Sequence, residues 1–174
     1  MFEKASSVLI ISQEPEQFID FFSANKCDVV AFSCCDLIRE ELGKINKKFH
    51  YIIVEGMLEY AGQIWRDSQQ PSYLFLAHLR NMLEPRGHLF IATDNRIGLK
   101  YFAGAPEFNT DNYFLGLRNF DDDNSIRSFA KQELEDLIHE AGFYLNSMYY
   151  PYPDYHYPTE LFTDSTINAM GNGR

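Results

Sequence analysis

Leu83-Glu84-Pro85-Arg86-Gly87-His88-Leu89-Phe90-Ile91-Ala92-Thr93-Asp94-Asn95-Arg96-Ile97-Gly98-Leu99-Lys100-Tyr101-Phe102-Ala103-Gly104 joins a tight turn, a buried strand and a polar strand end in one piece. A helix closing on Leu83 is stopped by Pro85 and Gly87, and the chain re-enters an apolar strand at Leu89 to Ala92. Thr93-Asp94-Asn95 emerge at that strand's carboxyl end, which in open α/β sheets is where ligands bind.

Upstream, Val8-Leu9-Ile10-Ile11, Asp28-Val29-Val30-Ala31-Phe32 and Tyr51-Ile52-Ile53-Val54 are short continuous apolar runs of the buried parallel type. Between them, Phe18, Ile19, Phe21 and Phe22, then Leu37, Ile38, Leu42 and Ile45, recur at helical spacing. The order βαβαβ predicts right-handed crossovers and a parallel sheet. A further helix is expected from about Ser72 to Leu83, and a polar, aromatic excursion from Gly98 to Ser125. Lys131 to Ala141 reads as an amphipathic helix closed by Gly142 in a left-handed cap, with Phe143 to Tyr149 alternating loosely as a last strand. The expected fold is a three-layer Rossmann-like α/β domain, with a mostly parallel sheet and helices on both faces. One domain spans 1–174, with an irregular Pro/Tyr-rich tail from about residue 150.

A chain of 174 residues buries roughly 70% of its unfolded surface, enough for one real core. Its 45% hydrophobic and 16% aromatic content argues against disorder, and no apolar run approaches the ~20 residues of a membrane helix. Fifteen Lys and Arg against 25 Asp and Glu give a formal charge of −10. No basic footprint for nucleic acid is present. Met1 to Ser7 lacks a signal architecture, and a cytoplasmic location is expected. Cys27, Cys34 and Cys35 read as small buried apolar residues beside strands. His78, His88 and His139 have no companions at metal-ligand spacing. Asp121-Asp122-Asp123-Asn124 lacks the downstream Gly and Glu of a calcium loop and reads as a solvated turn.

The long run quoted above, with Phe49-His50-Tyr51-Ile52-Ile53-Val54-Glu55-Gly56 before it, resembles the class I S-adenosylmethionine-dependent methyltransferases. Within them it is most similar to bacterial enzymes found with cell-surface polysaccharide synthesis and glycosyltransferases. Asn95 to Gly104 carries this resemblance, as do Ile126-Arg127-Ser128-Phe129 and Tyr149-Tyr150-Pro151-Tyr152-Pro153-Asp154-Tyr155. Beside that plan of seven strands the chain is short. Asp36 to Phe49 has room for one helix, so the third strand, at the sheet edge, is expected to be missing, and the final hairpin strand to be missing or irregular.

The resemblance implies S-adenosylmethionine as cofactor and places it at the strand ends. The loop after the first strand, Ser12-Gln13-Glu14-Pro15-Glu16-Gln17, has none of the glycines that let backbone approach the methionine part. Pro15 with Glu16 also suits the first turn of a helix. Ser33 falls where an acid binds the ribose hydroxyls, with Asp36 as the nearby substitute. Glu55-Gly56-Met57-Leu58-Glu59-Tyr60 matches the next strand-end segment, where Gly56 either lets backbone approach a ligand closely or only turns the chain. Asp94, Asn95 and Arg96 are the expected acceptor-side contacts, with Asp94 the candidate base, or else Asp94 and Asn95 cap a turn before Gly98. The tyrosine segment around Tyr152 would close over the acceptor, or pack on itself as a tail.

Two functions follow. One is methyl transfer to an oxygen of a cell-surface glycan or sugar-derived acceptor, with weak or lost activity. The other is a non-catalytic member of the fold that binds a glycan or a partner subunit, with dimerisation as one way to cover the bared edge at Asp28 to Phe32.

Overall fold

The computed structural model describes residues 6–33, 35–106, 113 and 126–171, leaving aside the side chains of residues 35–37 and 170. The Asp121–Asn124 run and Cys34 therefore lie outside the described residues. At the centre stands β1 (Ser7–Ser12), whose Val8, Leu9, Ile10 and Ile11 are each 0% exposed. It pairs in parallel with β2 (Asp28–Phe32) on one side and β3 (Phe49–Glu55) on the other, and β4 (Leu83–Ala92) lies beyond β3, giving the order β2-β1-β3-β4.

Side chains alternate across a pleated sheet, so each strand feeds two cores. Leu9, Ile11, Ile52 and Val54 join the larger one, with Val30, Phe32, Leu89 and Ile91 at its margin. This face is covered by α2 (Cys35–Lys44), α3 (Ala61–Ile64), α4 (Pro71–Met82) and α6 (Lys131–Glu140), through residues such as Ile38, Leu42, Phe75, Leu79 and Ile138. Val8 and Ile10 belong to the smaller core on the opposite face, closed by Phe18, Ile19 and Phe22 of α1 (Glu16–Ala24). Phe90, on β4, is 48% exposed and packs beside Tyr51, whose ring also stacks on His88.

The predicted parallel sheet with helices on both faces is present, and among the described residues no strand lies between β2 and β3. Gly142 holds φ +82°, and the amides of Gly142 and Phe143 bond back to the carbonyls of His139 and Ile138, the left-handed termination expected of α6.

Two local expectations give way to long-range pairing. Pro85 and Gly87 do not separate helix from strand. α4 ends at Met82 and β4 begins at once, because Leu83 pairs with Phe49. The register then shifts before Tyr51 meets His88, an irregularity that lets Pro85, which has no N–H to give a ladder, sit within an edge strand. Gly87 fits there because a Cβ would stand 3.0 Å from the Phe49 carbonyl oxygen. The expected strand over Phe143 to Tyr149 is also displaced. Residues 143–148 take no regular structure, with Phe143 and Leu145 against the core, and β5 is Tyr149–Tyr152. Among the described residues β5 pairs with β6 (Glu160–Thr163) alone, antiparallel and apart from the main sheet, and α7 (Asp164–Gly171) follows. The Pro/Tyr-rich segment thus carries more regular structure than its composition suggests.

Candidate functional site

At the carboxyl end of β1, the Ser12 hydroxyl donates to Glu55 Oε2 at 2.5 Å across the β1–β3 pair and accepts the Glu14 amide at 3.0 Å. This ties the loop after β1 down over its own strand. Beside it, Gly56 holds φ +60°, a conformation other residues resist, while its amide continues the ladder onto the Ala92 carbonyl at 2.9 Å.

Past Gly56 the chain turns inward through Met57 and a single 3₁₀ turn, Leu58–Tyr60, which carries Glu59 under the strand ends. Glu59 is 8% exposed. Its Oε1 accepts the Thr93 hydroxyl at 2.6 Å and the Asp94 amide at 2.9 Å, while Oε2 is buried without a hydrogen-bond partner among the described residues. Burial pushes its carboxyl above the usual carboxylate range, and the two hydrogen bonds offset that only in part.

Asp94 is buried too, and both its oxygens are engaged. Lys100 Nζ reaches Oδ1 at 2.8 Å, and the hydroxyl of Tyr101, in the short α5 (Leu99–Phe102), reaches Oδ2 at 3.1 Å. Asn95 accepts the Ile97 amide and bridges to Phe129, the turn-capping arrangement weighed above. Arg96 pairs with Glu133 of α6 at 3.0 Å, where Arg127 also arrives at 3.4 Å, its own amide donating to the Glu59 carbonyl at 2.9 Å.

Tyr155 covers this cluster. Its hydroxyl lies 2.9 Å from where a Cβ on Gly56 would stand. Its phenol is held strongly protonated, first by burial and then by the charges of Glu59, Asp94, Glu55 and Asp154. The loop that delivers it is pinned at its base. The Thr159 amide donates to the Tyr152 carbonyl at 2.7 Å, and Asp164 accepts both the Tyr150 hydroxyl at 2.7 Å and Lys131 Nζ of α6 at 2.9 Å.

Of the residues singled out from the sequence, Ser12, Glu55, Gly56 and Asp94 converge. Ser33 is exposed just past the end of β2, and Asp36 falls in the first turn of α2, its side chain outside the described residues. Tyr152 is 50% exposed on β5, and Tyr155 takes the inward place instead. Glu59, Thr93, Lys100 and Tyr155 lie in segments the sequence pointed to, but none was named there as a site residue. An acid inside the apolar run Met57-Leu58-Glu59-Tyr60-Ala61 was the one available signal.

Among solved structures, the chain is similar to the mycolic acid cyclopropane synthase CmaA1, complexed with SAH and CTAB. The TM-score is 0.55 at 10% identity, over 85% of this chain and 58% of that one. The likeness is one of fold, a mostly parallel Rossmann-like α/β sheet with helices on both faces. An O-methyltransferase family protein from Burkholderia thailandensis aligns at TM-score 0.47 and 12% identity, over 83% of this chain and 48% of that one. PKMT2 from Rickettsia typhi, in complex with AdoHcy, aligns at 0.32 and 16%, over 82% and 36%. The chain thus spans little more than half the length of CmaA1, and its main sheet has four strands among the described residues. No family model matches the chain, and neither does any curated protein.

Proposed function

We propose that this chain is an S-adenosylmethionine-dependent methyltransferase of low turnover, acting on a hydroxyl oxygen of a cell-surface glycan or sugar-derived acceptor. The observation that carries the reading is the strand-end cluster in which the Tyr155 hydroxyl sits directly on the positive-φ backbone of Gly56, with the unpartnered Glu59 oxygen in the same cluster. Both features fit a ligand that approaches backbone closely. Ser12, Glu55 and Gly56 would hold the methionine portion, and Ser33 with Asp36 the ribose. Bound there, S-adenosylmethionine supplies an electrophilic methyl group.

The protein's share of the reaction is to position the acceptor oxygen and take its proton as the new O–CH₃ bond forms. Asp94, the candidate base by sequence, has both oxygens committed to Lys100 and Tyr101. The base role therefore falls to Glu59, whose affinity for a proton is raised by burial and whose free oxygen can receive one. Asp94 positions Glu59 through its amide. The glycan class rests on the resemblance of Asn95 to Gly104 to polysaccharide-associated enzymes.

A second reading, a non-catalytic member of the fold that binds a glycan or partner subunit, draws on Tyr155 filling the approach to Gly56 and on the glycine-free loop after β1. In that reading the outer edge of β2, unpaired among the described residues, is where a second copy would add. Calorimetric titration with S-adenosylmethionine and S-adenosylhomocysteine to millimolar concentration separates the two. Micromolar binding supports the enzyme. No heat and no thermal shift at millimolar ligand sinks it and leaves the binding protein.

A further inference from the structure

The strand-end cluster gathers four carboxyl groups around one phenol. Glu55 closes β3, Glu59 lies beneath it, Asp94 follows β4, and Asp154 arrives with the tyrosine loop, all four bearing on the Tyr155 hydroxyl. Against them stands Lys100, already paired with Asp94. Arg96 and Arg127 turn to Glu133 on α6. The loop after β1 contributes Glu14 and Glu16 rather than a cation. Glu59 gives this cluster its direction, because its second oxygen is buried with no donor to meet it.

We infer that the site, if it takes an adenosyl ligand as proposed above, selects that ligand by its positive charge. S-Adenosylhomocysteine is neutral overall, S-adenosylmethionine carries one net positive charge, and decarboxylated S-adenosylmethionine carries two, having lost the carboxylate that Glu14 and Glu16 would repel. Affinity rises along that series. Methyl transfer turns the cationic sulfonium into a neutral thioether, so the reaction itself loosens the product, and the site resists inhibition by it.

The test is titration of the purified chain with the three ligands at low and at high salt. At low salt the dissociation constant is expected to fall about five- to tenfold per added charge, with the ratios compressed in high salt. Measurable binding with equal affinities, or with the neutral product bound tightest, overturns the inference and leaves the methyltransferase reading standing. Binding by none of the three overturns that reading and this inference with it. Glu59→Gln, which keeps an oxygen for Thr93 and the Asp94 amide, is expected to flatten the series. Glu140→Gln, exposed at the end of α6, is expected to leave it unchanged. The series in the unaltered chain decides the matter even if Glu59→Gln does not fold.

Discussion

Replacing Gly56 by Ala tests the geometry of the site without any ligand. At φ +60° an Ala is strained, since its Cβ crowds the following carbonyl, and the penalty is about 1–2 kcal/mol. The new Cβ would also stand 2.9 Å from the Tyr155 hydroxyl, the one described atom within 4 Å of it. That hydroxyl is the tip of a side chain on a loop, so it yields by moving, and the backbone strain dominates the loss. For a domain of this size the midpoint of thermal unfolding should fall by roughly 2–8 °C. Followed by circular dichroism, Gly56→Ala, Tyr155→Phe and the double variant form a cycle. Removing the hydroxyl relieves the contact, so the double variant should lose less than the sum of the two single losses, by about 0.5 kcal/mol or more. An unchanged midpoint in Gly56→Ala would refute the left-handed backbone. Strict additivity would refute the seating of Tyr155 over it.

Glu59→Gln should change how stability depends on pH. The folded carboxyl holds its proton more tightly than the unfolded one, so its ionisation weakens the fold as pH climbs past 4.5. Urea titrations from pH 4 to 8 should show the native chain losing ground to the variant as pH rises, and a gap that does not vary with pH would contradict the burial. The Lys131–Asp164–Tyr150 pin has the opposite acid response. Asp164 is held below its ordinary 3.8, so its contribution is present above that value and lost as pH falls through the lower folded one. Lys131 is held above 10.5, so its part is lost only when pH rises beyond that. Both side chains are exposed, so the effect is small and salt-sensitive. Hydrogen exchange across β5 and β6 should quicken in Lys131→Met relative to the native chain at pH 7, and equal protection in the two would exclude the pin. Gly142→Ala, at φ +82° with its Cβ 3.0 Å from Arg80 Nε, should cost about 1–2 kcal/mol by chemical denaturation.

The four strands and α6 were legible because apolar runs and helical spacing are local signals, and β1 to β3 sit where Val8–Ile11, Asp28–Phe32 and Tyr51–Val54 place them. Pro85 and Gly87 misled for a physical reason. Their local preference is a turn, and what overrides it is the pairing of Leu83 with Phe49, residues far apart in sequence. The site divides in the same way. Ser12, Glu55, Gly56 and Asp94 follow directly from strand ends, so knowing the strands located them. Tyr155 does not, since a run of tyrosines and prolines says nothing of which ring turns inward. That is settled where the β5–β6 hairpin turns and by the reach of Lys131 to Asp164, 33 residues on. Glu59 stood in an apolar run whose meaning depended on Thr93 and Asp94 arriving from β4.

The position of β1 has a kinetic consequence. One of its partners, β3, lies far along the chain, as the 43 residues between Ser12 and Glu55 show. Parallel pairing across such a separation must close a long loop before any contact rewards it, so refolding should be slow beside that of a helical bundle of equal length. Until β3 and α4 arrive, a β1–α1–β2 unit shelters Val8 and Ile10 but leaves Leu9 and Ile11 facing water. That interval is when two partly folded chains can associate through the bare face. The strand that holds the finished sheet together thus keeps one face bare while the sheet is being made.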